Sequence, residues 1–292
     1  IFEMVVGRHH TNFWLQKINP LWSIHQALGK IIEKNQSAQD TISLTIEVNR
    51  HFKMGQAGQH HPVIIEVNGR RYERTYSLTQ LDAHRVLLTV KKVAEGIVSQ
   101  WLTETAQIGD VLEFGQPYGE MLIPKTEQPL ILLAAGSGIT PMYSLVKKLD
   151  ELGHLGQKSV RLMYWVKKNQ DAVFKMRFET IAEQYPSFKF DVFYTQENPS
   201  DARLNAEYLD QIQSLEKSIV YVCGPSGFVT TAEQLFKKAQ QFKSEAFSLT
   251  PIISEETGFI NVTLTQSNKV VAIPKGQSIL LGLEQQNIKP QH

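Results

Sequence analysis

The sequence is poor in cysteine, and this scarcity excludes several classes of protein. Its 292 residues include one cysteine, so the chain alone builds neither an internal disulfide nor a cysteine-ligated metal site, and we expect no metal. A single thiol is typical of a reducing compartment, so we expect a cytoplasmic protein. The sequence also has no apolar run near the roughly 18 residues that span a bilayer, and no recognisable secretory signal.

An excess of charge of either sign is also missing. Lys and Arg total 30, Asp and Glu total 29, and the formal net charge is +1. This balance argues against a nucleic-acid partner, and a hydrophobic fraction of 42% argues against broad disorder. The length exceeds what one hydrophobic core usually organises, so we expect at least two domains.

Residues 1–36 are predicted to form a helical lead-in. Apolar residues recur at near-helical spacing from Phe13 to Ile32, and two of them are Trp14 and Trp22. One interpretation is packing on the following domain. The other is peripheral contact of residues 13–32 with a membrane or a partner, since tryptophan favours the boundary between polar and apolar surroundings.

Residues 37–124 change to short β-branched runs that are separated by turns. Strands are predicted at 41–48, 63–67, 86–90 and 111–114. The second run ends in Asn68-Gly69, which is a strong hairpin signal. Closely spaced strands with hairpin turns are typical of a small antiparallel barrel.

Residues 125–246 alternate between strands and helices. Strands are predicted at 130–135, 160–166, 188–194 and 219–222, and helices around 142–152, 174–184, 206–212 and 229–242. This order predicts a doubly wound parallel sheet, whose ligands bind at the carboxyl ends of the strands.

A glycine-rich turn follows the first of these strands. Gly136 and Gly138 would let the backbone approach a phosphate, and a helix starting near Pro141 would point its N–H groups at that anion. The turn lacks the third glycine of a Rossmann fingerprint and the Gly-Lys-Ser/Thr of a P-loop. Taken alone, it is also compatible with an ordinary strand-to-helix turn.

Three further motifs carry groups that suit nucleotide cofactors. One is Cys223-Gly-Pro225 at the end of the last predicted strand. The alternative is that Cys223 is a small buried side chain with only a packing role. Another is Arg74-Thr-Tyr-Ser-Leu78, in which Arg74 and Tyr76 should share one face of a strand and Thr75 and Ser77 the other. The third, Gly96-Ile-Val-Ser99, predicts a helix start and a second anion site.

Together, and in this order after Gly58-Gln59-His60, the motifs resemble those of the ferredoxin–NADP reductase family from Asp40 to Phe247. The resemblance implies an NAD(P)H-dependent flavoprotein oxidoreductase. Its fold would be a six-stranded antiparallel FAD-binding barrel followed by a doubly wound NAD(P) domain. The cofactors it implies are FAD and NADPH, with NADH as the alternative.

The same resemblance implies roles for individual residues. Arg74 would bind the FAD pyrophosphate, Tyr76 would pack on the isoalloxazine and Ser77 would hydrogen-bond near its reactive nitrogen. Phe247, in Glu245-Ala-Phe247, would be an aromatic gate at the flavin, or else an ordinary linker residue. The implied catalytic residues are Ser77, Cys223, Glu245 and Phe247. The implied cofactor-binding residues are His60, Arg74, Thr75, Tyr76, Ser77, Leu78, Val90, Lys92, Gly96, Ile97, Val98, Ser99, Gly136, Ser137, Gly138, Ile139, Thr140, Lys167, Arg203, Cys223, Gly224, Pro225 and Phe247.

The residues after the second α/β strand favour NADPH. Lys167-Lys168 stands where an acidic residue would bind the ribose 2′-hydroxyl of NADH, and Arg203 offers a further cation for a 2′-phosphate. The alternative is a solvated basic turn with no role in nucleotide selection.

Residues 247–292 resemble a linker and the truncated start of a plant-type β-grasp ferredoxin domain, with strands at 260–265 and 270–273 and a helical turn at 279–285. A [2Fe–2S] centre is therefore expected only beyond His292, unless the protein has lost it.

Segments 12–15, 20–23 and 49–52 further resemble the bacterial electron-transfer partners of membrane stearoyl-CoA 9-desaturases. The expected acceptor is a membrane fatty acyl desaturase or another oxygenase, such as a ring-hydroxylating oxygenase. Alternatives are a stand-alone flavin or oxygen reductase and a nucleotide-binding module without turnover.

Overall fold

The structure is a computed structural model, and it describes residues 8–197, 203–212, 214–247, 258–265, 267, 269–275, 279, 282–283, 286 and 288. The chain divides into two compact units, Ile1–Phe247 and Ser248–His292. Within the described residues, no helix is long and apolar enough to cross a membrane.

A closed barrel of six strands forms the first domain of the larger unit. The strands are β1 (Leu28–Ala38), β2 (Thr41–Val48), β3 (His60–Val67), β4 (Arg70–Gln80), β5 (Arg85–Lys91) and β6 (Val111–Phe114). They pair antiparallel in the order β1-β2-β5-β4-β3-β6. The barrel is filled by completely buried side chains that include Ile31, Leu44, Ile46, Leu88 and Leu112. The predicted six-stranded antiparallel barrel is confirmed.

A parallel sheet forms the second domain. Its strands are β7 (Leu130–Ala135), β8 (Val160–Val166), β9 (Phe188–Tyr194), β10 (Ile219–Gly224) and β11 (Gln241–Ala246), in the order β11-β10-β7-β8-β9. Alternate residues of β7 enter two separate hydrophobic clusters, so both faces of the sheet are covered. The strand order reverses between β7 and β10, which is where such sheets bind ligands.

Five α-helices lie in the described residues of the larger unit. They are α1 (Arg8–Ile18), α2 (Ile97–Gln100), α3 (Ile139–Glu151), α4 (Lys175–Gln184) and α5 (Ser226–Leu235). A π-helical turn at Trp101–Thr105 continues α2, and short 3₁₀ turns include Gly136–Gly138 and Ala206–Gln211. The predicted helix at 206–212 is thus a 3₁₀ turn.

The predicted helical lead-in is wrong in its second half. Leu28, Ile31 and Ile32 lie in β1, so the barrel begins at Leu28 and not at residue 37. The pairing register of β1 with β2 shifts between Ile31 and Glu33, which indicates a β-bulge. Ile31 and Ile32 stand side by side at this irregularity, so the strand does not alternate strictly between apolar and polar residues.

The helix predicted at 229–242 is also too long. The structure ends α5 at Leu235, and the chain then forms β11, which pairs parallel to β10 at the edge of the sheet. Most side chains of β11 are half-buried or exposed, so its sequence lacks the continuous apolar run of a central parallel strand.

Hydrogen bonds to backbone carbonyls are among the contacts that hold the barrel-containing half against the parallel sheet. The Ser144 hydroxyl on α3 donates to the carbonyl of Leu78 on β4 at 3.2 Å. The Tyr221 hydroxyl donates to the carbonyl of Leu122 at 2.6 Å, and Lys243 donates to the carbonyl of Glu120 at 2.6 Å. The two domains are therefore held in one arrangement by backbone acceptors.

The C-terminal unit contains an antiparallel hairpin of β12 (Phe259–Leu264) and β13 (Lys269–Pro274). Val271, Ile273 and Leu283 are its buried apolar residues among those described. Of the helical turn predicted at 279–285, only 279, 282 and 283 are described, and these are helical. Since many folds contain such a hairpin, the ferredoxin-like start stays a prediction.

Candidate functional site

The glycine-rich turn lies at the reversal point of the sheet. Gly136 has a φ of +56°, a left-handed conformation that suits glycine. A Cβ placed on Gly138 would lie 2.0 Å from the carbonyl oxygen of Cys223, so only glycine fits there. α3 begins at Ile139, two residues before the predicted Pro141, and the Thr140 hydroxyl donates to the carbonyl of Ser137 at 3.1 Å.

Tyr164 on β8 supports this turn from below. Its hydroxyl lies 3.2 Å from the carbonyl oxygen of Gly136 and 3.4 Å from that of Asp171. Burial raises the pKa of Tyr164, so the phenol remains a neutral donor. Sequence reasoning did not single out Tyr164, because a buried tyrosine on an apolar strand carries no motif.

A cleft of about 600 Å³ opens above the turn. Gly136, Ser137, Ile139, Thr140 and Pro225 line it, as the resemblance implies. Lys167 and Arg203 also line it, so the two predicted cations face the same space. Thr195 and Gln196 complete this side. They follow β9, and the rule that ligands bind at carboxyl ends of strands could have identified them.

The barrel contributes β4 to the site. Ser77 is 5% exposed, and within the described residues its hydroxyl has no hydrogen-bond partner. Thr75 pairs its hydroxyl with that of Tyr118 at 2.7 Å. Arg74 is exposed and donates to the carbonyl of Glu73. Tyr76 packs on the barrel core, and burial, opposed by Arg74, raises its pKa to about 12.

Two strand pairs, one in each domain, are joined by a contact between His60 and Glu245, and we name His60, Ser77, Cys223 and Glu245 the junction cluster. His60 is directly opposite Ser77 in the β3–β4 pair, and Cys223 is opposite Glu245 in the β10–β11 pair. His60 Nδ1 lies 3.3 Å from Glu245 Oε2, which links the barrel to the sheet. This approach is not aligned as a hydrogen bond, and Glu245 Oε2 has none elsewhere in the described part of the chain.

The junction cluster fits a polar, planar ligand. Buried polar atoms are normally hydrogen-bonded. The Ser77 hydroxyl and Glu245 Oε2 are buried and make no hydrogen bond within the described residues, which indicates that a ligand supplies their partners. A flavin and a nicotinamide each carry hydrogen-bond donors and acceptors, which are the partners that these side chains require. The residues present therefore fit FAD and a pyridine nucleotide.

Cys223 is completely buried at the end of β10. Burial, and then the nearby Glu245, raise the pKa of its thiol, so the thiol stays neutral and is no nucleophile. The carbonyl of the next residue, Gly224, accepts from the N–H of Phe247 at 3.2 Å. Phe247 is 44% exposed and thus lies beside this strand end with its ring accessible.

The second predicted anion site is a tight loop. The Ser99 hydroxyl donates to the carbonyl of Gly96 at 3.0 Å and accepts from the N–H of Val93 at 3.2 Å. The Ser99 hydroxyl and the N–H groups of Val93 and Gly96 are thus engaged within the loop itself, and the second anion site stays a prediction. Other predicted cofactor contacts lie apart from the cleft. Leu78, Val90 and Val98 are in the barrel core, Lys92 pairs with Glu104, and Ile97 is 44% exposed.

Among the described residues, no group of three or more His, Cys, Asp or Glu side chains is placed to hold a metal ion.

Tyr118 is a further residue that sequence reasoning missed. Its ring packs edge-on against His60 with centroids 4.1 Å apart, and its backbone pairs with that of His60. Tyr118 therefore fixes the orientation of one member of the junction cluster.

Two family models match the chain. The oxidoreductase FAD-binding domain matches residues 28–123, and the oxidoreductase NAD-binding domain matches residues 132–234. The first match begins at Leu28, the first residue of β1. These matches divide the chain into the same barrel and parallel sheet that the structure contains.

Known proteins with related sequences include oxidoreductases and electron transfer components of dioxygenases. The chain is 27% identical over 278 residues to an NADPH oxidoreductase of Mycobacterium tuberculosis. The aligned region covers 91% of this chain and 72% of that protein. It is 29% identical to the NADH oxidoreductase HCR of Escherichia coli over 80% of this chain and 71% of that protein. It is 27% identical to the toluate 1,2-dioxygenase electron transfer component of Pseudomonas putida, over 69% of this chain and 60% of that protein.

Solved structures give the same picture. Phthalate dioxygenase reductase, described as a modular structure for electron transfer from pyridine nucleotides to [2Fe–2S], superposes with a TM-score of 0.66 at 25% identity. The match covers 91% of this chain and 81% of that one. The FAD/NAD-binding domain of a Vibrio cholerae nitric oxide dioxygenase shares the fold, with a TM-score of 0.66 at 21% identity over 76% of this chain and 98% of that one.

Proposed function

Because the chain belongs to the ferredoxin–NADP reductase type of FAD- and NAD-binding oxidoreductases, we propose that it takes a hydride from NADPH and passes single electrons to a [2Fe–2S] centre. That centre would serve an oxygenase or a fatty acyl desaturase. The chain is an NAD(P)H-dependent flavoprotein oxidoreductase. The observation that carries the proposal is the junction cluster, which combines side chains of the FAD-binding and the NAD-binding domain.

The residues of the site hold and orient two cofactors. FAD supplies the two-electron acceptor that can return its electrons one at a time. The Ser77 hydroxyl has no hydrogen-bond partner among the described residues and is available to donate at the junction, where His60 also lies 3.3 Å from Glu245. The turn at Gly136–Gly138 would hold the phosphates of the pyridine nucleotide. Catalysis by this chain is then mainly positioning, which brings the reacting rings together at a high effective concentration.

Relatives support an oxygenase as the acceptor. Two of them are named as the electron transfer components of toluate 1,2-dioxygenase and of 2-halobenzoate 1,2-dioxygenase. The phthalate dioxygenase reductase carries electrons to [2Fe–2S], according to its description. The desaturase alternative depends on the sequence motifs in the first 52 residues. A tethered centre after Phe247 would encounter the flavin at high effective concentration, so a weak contact suffices.

The electron route is tested by comparing the chain ending at His292 with a longer form that carries a cysteine-ligated [2Fe–2S] centre. We expect NADPH to reduce the flavin at nearly equal rates in both forms, since both retain the cleft and the junction cluster. Reduction of the oxygenase component should collapse in the shorter form. Equal delivery by both would favour a stand-alone reductase, and no flavin reduction in either would favour a module without turnover.

The preference for NADPH is tested at the two cations of the cleft. Lys167→Ala combined with Arg203→Ala should lower kcat/KM for NADPH by about tenfold or more, which is the loss of charged hydrogen bonds to a 2′-phosphate. The value for NADH should change little. Lys168→Ala is the matched control, because Lys168 is exposed and does not line the cleft. An equal loss with both nucleotides would contradict the assignment of these cations to the 2′-phosphate.

A further inference from the structure

One face of α1 is anchored to the barrel. Asn12 is buried, and its side-chain oxygen accepts from the N–H of Ile24 at 3.0 Å. Its amide donates to Gln26 at 3.2 Å, and Gln26 in turn donates to Glu113 on β6 at 3.3 Å. The rotation of the helix about its axis is thereby fixed, with Asn12 toward the barrel.

The opposite face of α1 presents large apolar side chains to solvent. At 100° per residue, Trp14 and Ile18 lie about 200° and 240° around the helix from Asn12. Trp14 is 64% exposed and Ile18 is 72% exposed. Trp22, in the turn after the helix, is 49% exposed. The three side chains make an exposed apolar strip, which we name the tryptophan strip.

The segment of chain that carries the tryptophan strip has basic but no acidic side chains. The sequence from Arg8 to Ile32 contains no Asp or Glu. Lys17 is exposed on the same side of α1 as Trp14 and Ile18. Asn49, which donates to the carbonyl of Leu21 at 3.1 Å, brings the exposed Arg50 to the end of the strip near Trp22.

We propose that the tryptophan strip seats the enzyme on an anionic lipid surface. Tryptophan partitions to the headgroup level of a membrane, and flanking cations are attracted by anionic headgroups. A lipid surface needs no complementary pocket, so one helical face and the following turn are sufficient. The inference does not depend on which acceptor receives the electrons.

Vesicle sedimentation with the full chain in its FAD-bound form tests the proposal. The protein should co-sediment with vesicles that contain phosphatidylglycerol and much less with vesicles of phosphatidylcholine alone, and added salt should weaken binding. Tryptophan emission should shift to shorter wavelength on binding. Trp14→Ala combined with Trp22→Ala should weaken binding by about tenfold or more, because the apolar area that enters the interface is lost.

Met176→Ala is the matched control, since Met176 on α4 is 81% exposed and lies outside the tryptophan strip. All variants should keep the wild-type rate of flavin reduction by NADPH. Absence of binding to anionic vesicles, or equal binding by the double variant, would overturn the proposal. If vesicles fail to bind but the double variant alone loses electron delivery to a membrane acceptor in detergent, the strip docks a protein and the lipid assignment is wrong.

Discussion

Gly138→Ala should lower the affinity for the pyridine nucleotide by about a hundredfold or more while FAD stays bound. The added Cβ would lie 2.0 Å from the carbonyl oxygen of Cys223 and 2.4 Å from its carbonyl carbon. Both neighbours are backbone at the end of a central strand, which cannot rotate away as a side chain can. The turn must therefore move off β10, and a misplaced phosphate site is costly in binding and in hydride transfer.

The measurement is anaerobic flavin reduction at increasing NADPH concentration, with FAD content determined from absorbance. Gly156→Ala is the control, because a Cβ at Gly156 would meet only Tyr185 at 4.0 Å. Near wild-type nucleotide affinity in Gly138→Ala would show that the turn can shift freely, and it would refute the proposed role of this close approach.

Ser77→Ala should slow the reduction of bound flavin by NADPH by about a hundredfold, which is the usual order for removing one donor aimed at developing charge. The Ser77 hydroxyl has no partner among the described residues, so its removal takes no hydrogen bond from the chain's own fold. We therefore expect the thermal midpoint to change little. A slow, stable enzyme that retains FAD is the predicted phenotype.

Ser144→Ala is the matched control for Ser77→Ala. Both serines are buried where the domains meet, but the Ser144 hydroxyl donates a hydrogen bond to the carbonyl of Leu78. Its loss should lower the free energy of unfolding by about 1 kcal/mol and leave the rate of flavin reduction unchanged. If Ser77→Ala behaved in the same way as Ser144→Ala, the hydroxyl of Ser77 would be structural, and the proposed role at the flavin would fail.

The central elements of both domains are predictable because their local sequence and their burial agree. Strands β7, β8 and β10 are apolar runs that the sheet buries, and the predicted ranges match them within a few residues. The prediction fails for β1 and β11, where local pattern and tertiary role conflict. A bulge hides the alternation of β1, and β11 is an edge strand that packs few apolar side chains.

The site divides in a similar way. Residues in a motif, such as Gly136 and Ser77, can be assigned a chemical role before any contact is known. The contact of His60 with Glu245 cannot be predicted from spacing, because it joins positions 185 residues apart through two separate strand pairings. A resemblance to a family places both residues near the cofactors, but only the fold brings them to 3.3 Å.

The position of Tyr164 has an entropic consequence for nucleotide binding. One phenol holds the carbonyls of Gly136 and Asp171, which belong to the turn after β7 and the segment after β8. Gly136 and Asp171 both line the cleft, and so does Lys167. Because Tyr164 links these two segments before a ligand binds, this part of the cleft is preorganised. Nucleotide binding therefore costs little conformational entropy in the protein.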